Sequence, residues 1–130
     1  MRKGLWWFSF RAVSAALLLV PVQATGQTAQ AQERPATQVT IRADNFNLLP
    51  DEIRVPAGEV KITLVNESWF IPHALAFEGG IGERIERVGG GQSAEMVIPV
   101  ATPGRYTFFC PLWGHRFLGM VGTLIVQPRR

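Results

Sequence analysis

Cysteine and histidine are scarce in this 130-residue chain, which has one of the first, Cys110, and two of the second, His73 and His115. A single thiol excludes the internal disulfide framework that commonly stabilises a small exported domain. Methionine is nearly as rare, with Met96 and Met120 the only two beyond Met1. No segment carries the apolar periodicity of an amphipathic helix longer than about ten residues, which argues against an α-helical fold. No nucleophile-and-base pair or carboxylate pair stands out to mark a hydrolytic enzyme. No internal repeat is visible.

Excess charge of one sign is missing too. The formal net charge is +3, yet three of the thirteen Lys and Arg residues (Arg2, Lys3 and Arg11) fall before residue 32, and none of the ten acidic residues does. Beyond that point the charges balance. No basic field and no interleaved aromatic-and-basic stripe remain, so a nucleic-acid partner is excluded.

The opening segment has the three parts of a secretory signal peptide. Arg2 and Lys3 precede an apolar stretch over 12–22, and Ala29-Gln30-Ala31 supplies a cleavage motif, with Val22-Gln23-Ala24 as a second. The alternative is an uncleaved membrane anchor, but eleven apolar residues bounded by Arg11 fall short of the ~20 that span a bilayer. The expected organisation is a signal peptide over 1–31, a flexible polar lead-in over 32–37, and one domain over 38–130. Such a protein is periplasmic or secreted.

From residue 38 the texture is that of short strands between turns. "QVTIRAD" alternates Val39 and Ile41 with Thr40 and Arg42, and "EIRV" offers Ile53 and Val55. After a Pro-Ala-Gly turn, Val60, Ile62 and Leu64 alternate with Lys61 and Thr63. "HALAFE", "SAEMVIPV", "RYTFFC" and "MVGTLIV" complete the set, with Met96 read as core. "GGIGERIERVGGGQ" reads as a glycine-bounded excursion in which Ile85 and Val88 tuck down. Seven or eight short strands in about 90 residues predict an all-β fold, an antiparallel sandwich or barrel.

The chemistry concentrates in "FFCPLWGHRFLGM", residues 108–120, where Cys110, His115 and Met120 fall at equal steps of five. On a helix, five residues turn a side chain by about 140°, and on a strand an odd step reverses the face. Only an irregular loop brings the three together, and Pro111, Gly114 and Gly119 are its formers. His73 follows Pro72, which disfavours helix at Ile71 and places the histidine at a strand border. Taken singly, Cys110 reads as a small buried hydrophobe, His115 as a surface or hydrogen-bonded residue, and Met120 as core. Taken together they are the donors copper selects: two His and one Cys in a plane, with a weak axial Met, make a blue-copper electron-transfer site.

"PGRYTFFCPLWGHRFLGMVGTLIV", with "VNESWFIPHALAF" upstream, resembles the ligand segments of cupredoxins, the small blue-copper family of plastocyanin, azurin, rusticyanin and auracyanin. The resemblance spans roughly 39–126, and its Cys-to-His and His-to-Met spacings are similar to those of rusticyanin-like and auracyanin-like members. It implies a Greek-key β-sandwich or barrel of seven to eight strands and one copper ion cycling between Cu(I) and Cu(II). It implies His73, Cys110 and His115 as equatorial ligands and Met120 as the axial one. The implied protein is a monomeric electron carrier, not an enzyme, working with redox proteins such as a c-type cytochrome or a terminal oxidase or reductase. Ala74 departs from the pattern, because many members carry Asn directly after the first His to tie the ligand loops together.

Leu112, Trp113, Phe117 and Leu118 flank His115 and are expected to frame a docking surface. The competing reading is that Trp113 and Phe117 shield the metal from water. Arg116, beside His115, would favour an acidic partner. The alternative function is a periplasmic copper-binding or delivery module, against which stand the shortage of Met and His and the thiol in the donor set. Multicopper oxidases need more histidines than this chain has, and a binuclear copper centre needs a second cysteine.

Overall fold

The computed structural model describes residues 36–130. The leader expected over 1–31, its cleavage points, the anchor alternative and most of the lead-in lie outside them. The described residues form nine strands: β1 (Thr37–Asp44), β2 (Asn47–Leu49), β3 (Glu52–Pro56), β4 (Gly58–Asn66), β5 (His73–Phe77), β6 (Ile85–Val88), β7 (Ser93–Val100), β8 (Gly104–Phe109) and β9 (Val121–Gln127). Helix among these residues is limited to two 3₁₀ turns, Glu78–Gly80 and His115–Leu118. None is long and apolar enough to cross a membrane.

The strands assemble into a four-stranded sheet, β2-β1-β4-β7, and a five-stranded sheet, β3-β9-β8-β5-β6. The chain changes sheet after β2, β3, β4, β6 and β7. Alternation explains the core that results. Val60, Ile62, Leu64 and Asn66 point inward from β4, and Met96, Ile98 and Val100 do so from β7. Each fully buried aliphatic side chain contributes about 1.5–3 kcal/mol. β5 runs between β8 and β6, and its His73, Ala74, Leu75 and Phe77 are all buried. That is why "HALAFE" reads as an apolar run with no period of two.

The all-β expectation holds, with two differences in detail. The sheets are mixed, since β1 runs parallel to β4 and β3 runs parallel to β9. Side-chain alternation is the same in either direction, so periodicity carries no information on polarity. The parallel pair needs a crossover, and β2 with β3 supplies it between β1 and β4. The count exceeds seven or eight because β2 has only three residues and β6 lies inside the glycine-bounded excursion. Ile85 and Val88 are buried there and Met96 is buried in β7, as read. Cys110 and Met120 belong to the same buried cluster as Leu75, Phe108 and Leu124. The site is built into the core.

Candidate metal centre

Two segments carry the donors. Cys110 directly follows β8 and Met120 directly precedes β9, so the loop between them is held at its neck by the β8–β9 pairing. Cys110 N–H donates to the Met120 carbonyl at 3.1 Å, and Met120 N–H donates to the His115 carbonyl at 3.1 Å. The 3₁₀ turn starting at His115 is entered through Gly114 (φ 76°) and left through Gly119 (φ 109°), left-handed positions where glycine is the natural occupant. Trp113 also has positive φ, at 28°, an unfavourable conformation for a bulky side chain. These bends replace the regular rotation of a helix or strand. His73 opens β5 opposite Val88 of β6, where the ladder is irregular.

The donors converge. One donor atom from each of His73, Cys110 and His115 lies within 4.8 Å of the other two. Cys110 Sγ and His115 Nδ1 are 3.4 Å apart, and the two imidazole rings meet at 5.3 Å between centroids, tilted by 60°. Met120 is wholly buried and joined to both Cys110 and His115 through the backbone. His73, Cys110 and Met120 are 0 % exposed, while His115 is 9 % exposed.

The ring of His73 is aimed by its surroundings. Ser68 Oγ accepts the Asn45 N–H at 3.3 Å and lies 2.8 Å from His73 Nε2. With the proton on Nε2 donated to Ser68, Nδ1 is a bare lone pair. That atom is buried and has no hydrogen-bond partner, an arrangement that costs free energy unless something else occupies the lone pair. A metal ion resolves it. Burial, and secondarily the charge of His115, hold His73 below the ordinary imidazole range against a smaller opposing pull from Asp44. Burial does the same for His115. Both rings are therefore biased toward the neutral form that binds metals.

Asn66 builds the loop that carries His73. Its Oδ1 accepts Ser68 N–H at 2.9 Å, and its Nδ2 donates to the Ile71 carbonyl at 2.8 Å and the Val88 carbonyl at 3.0 Å. Both amide protons are spent on the His73 side. Ala74, 1 % exposed, packs into the core, so nothing at position 74 replaces the side-chain tie that Asn makes in many members. Phe46 stands edge-on to His115 at 5.0 Å. Ser68, Asn66 and Phe46 are functional neighbours that sequence reasoning did not single out.

A sequence model described as the cupredoxin-like domain matches residues 12–126. This chain belongs to the cupredoxin-like family. Plastocyanin from Dryopteris crassirhizoma is 32 % identical over 97 residues, covering 64 % of this chain and 90 % of that protein. Among solved structures, dithionite-reduced auracyanin from Roseiflexus castenholzii superposes with a TM-score of 0.66 at 22 % identity, over 72 % of this chain and 98 % of its own. Auracyanin A from Chloroflexus aurantiacus, a "blue" copper protein, gives 0.64 at 18 % identity, over 72 % and 100 %. At those identities the two structures speak to the fold. One thiol, two neutral imidazoles and an unpartnered buried nitrogen fit copper, the cofactor of this cupredoxin site.

Around His115 the surface is apolar. Trp113 is 89 %, Phe117 94 % and Leu118 60 % exposed, whereas Leu112 packs partly against the core. Trp69 and Phe70, stacked at 5.2 Å in the loop before His73, are also exposed. Arg116, expected to attract an acidic partner, is instead paired with Glu78 and lies 4.5 Å over the Phe109 ring. Its charge is already used.

Proposed function

We propose that this protein is an exported, mononuclear blue-copper electron carrier. His73, Cys110 and His115 would hold the ion, with Met120 as a fourth, weaker donor. The carrying observation is the burial gradient among the donors: only His115 has an edge at the surface. Copper bound there supplies one-electron exchange between Cu(I) and Cu(II). The protein's part is to keep a fixed donor set for both states, with His73, Cys110 and Met120 buried in the core and Phe46 standing edge-on to His115. His115 carries the electron between this interior and the apolar rim. A donor set whose thiol is wholly buried favours a carrier over an enzyme.

Export rests on the leader over 1–31, and a redox protein such as a c-type cytochrome or a terminal oxidase or reductase remains the expected partner. Adding Cu(II) to the purified protein should give an intense visible thiolate-to-copper band, and repeated reduction and reoxidation should leave the copper bound. A colourless protein would refute the site. Transfer of copper to an acceptor on each reduction would favour delivery over electron transfer.

Two further outcomes are expected. Ser68→Ala removes the partner of His73 Nε2 and should weaken copper binding ~10-fold, because hydrogen-bond partners of ligands fix tautomer and orientation. Competition with a copper chelator measures this, and unchanged affinity would show that packing alone aims the ring. Leu118→Asp should leave the visible band unchanged and slow electron self-exchange between oxidised and reduced protein by ~10-fold, since two copies must bring their rims together. An unchanged exchange rate would remove Leu118 from the docking surface.

A further inference from the structure

Beside His115 the apolar rim opens into a cleft of about 230 Å³. Phe70 and Pro72 from the β4–β5 loop form one wall, and Leu112, Trp113 and His115 from the copper loop form the other. Arg87, on the edge strand β6, closes it. Six ion pairs form among the described residues, and Arg87 belongs to none of them. Its neighbour Glu86 is paired with Arg84, and Arg116, the other cation near His115, is paired with Glu78.

We propose that this cleft docks a carboxylate-bearing protein surface, with Arg87 recognising an Asp or Glu side chain that Phe70 and Trp113 enclose. The proposal rests on the electron-carrier reading for its purpose, though not for its chemistry. A guanidinium presents a planar fork that meets a carboxylate with two parallel hydrogen bonds. Apolar walls exclude water and strengthen that pairing relative to an open surface. The volume suits one inserted side chain and is below the ~300–1,000 Å³ of a typical small-molecule pocket. A lipid surface fits less well, because adsorption to anionic membranes draws on several clustered cations, and here a single free one faces a concave slot. Trp113 sits in a turn closed by the His115 N–H donating to the Leu112 carbonyl at 2.8 Å, and that turn leaves its indole exposed, where a partner's side chain can cover it.

The test uses the ¹⁵N-labelled protein as purified, with hexaglutamate as the probe at low ionic strength. Amide shifts centred on residues 70, 87 and 113 are expected, and Arg87→Glu should abolish them. Arg54→Glu, the same charge change on β3 at the opposite edge of the sheet, should leave them in place. A second arm follows oxidation of the Cu(I) protein by hexacyanoferrate(III), where Arg87→Glu should slow the bimolecular rate ~5-fold and Arg54→Glu by less than ~2-fold. Equal effects of the two substitutions, or shifts scattered over other arginines, would overturn the proposal. Cosedimentation with phosphatidylglycerol vesicles that survives Arg87→Glu would also overturn it and assign the rim to lipid. If the protein took up no copper, the carrier reading would fall while the hexaglutamate experiment still decided this one.

Discussion

Cys110→Ser is expected to yield a folded protein that has lost its intense visible band and binds copper far more weakly. Cys110 is completely buried, and its sulfur lies 3.4 Å from His115 Nδ1. A serine hydroxyl is close in shape, although its shorter bond to Cβ leaves it farther from that nitrogen than the sulfur is. The fold should therefore lose no more than the ~1–3 kcal/mol of an imperfectly satisfied buried polar group. The loss at the metal is of another order. The band arises from charge transfer out of a thiolate, which serine does not supply, and a hard oxygen donor does not favour the soft Cu(I) state. Affinity should fall by more than the ~10–100-fold that a ligand's hydrogen-bond partner is worth. Visible absorption, chelator competition and thermal unfolding of the same sample separate these effects. A retained blue band in Cys110→Ser would show that the sulfur is not a ligand.

Much of this site is legible in the amino-acid order because its constraints are local. Cys110, His115 and Met120 sit in one loop whose glycines announce its bends, and the strands on either side alternate plainly. His73 is legible for a weaker reason: it is the one remaining histidine, beside a proline at a strand border. What surrounds His73 is not legible. Ser68 lies five residues away and Asn45 twenty-eight, and they meet only because β1 and β4 run side by side in the four-stranded sheet. Asn66 continues the inward face of β4 after Leu64, so its burial follows from the period, and two of its three hydrogen bonds stay within the loop it opens, yet the third, to the Val88 carbonyl, depends on where β6 passes. The same holds for Arg116. Its position beside His115 suggests a free charge, and only the fold brings Glu78 to meet it. Strand direction is the remaining gap, since β1 and β3 would show identical alternation whether their neighbours ran parallel or antiparallel.

Gly122→Ala should be among the most damaging single substitutions in the domain, although no unusual backbone conformation requires glycine there. The reason is space. Gly122 in β9 faces Phe108 in β8, and the Phe108 ring, fully buried and packed against Phe77 at 5.9 Å between centroids, lies across it. A Cβ at 122 would meet Phe108 Cζ and come within 2.5 Å of Cε2 and 2.7 Å of the Asp51 carbonyl. That carbonyl already accepts the Thr123 N–H at 2.7 Å, so neither obstacle can yield without breaking another contact. Overpacking a tight core costs about 1–3 kcal/mol, and two blocked directions place this case at the upper end. For a domain of this size such a loss corresponds to a drop in Tm on the order of 10–20 °C. The damage should reach the copper site as well, because Phe108 and Cys110 lie two residues apart in sequence and Gly122 is two residues from Met120, at the hydrogen-bonded neck of the loop. Gly104→Ala is the control: its Cβ would meet only the Tyr106 ring at 3.7 Å, an ordinary contact, and stability should change by less than ~0.5 kcal/mol. If Gly122→Ala unfolds within a degree or two of the parent while Gly104→Ala does the same, the β8–β9 interface is looser than its geometry implies and the neck of the copper loop is not held by packing.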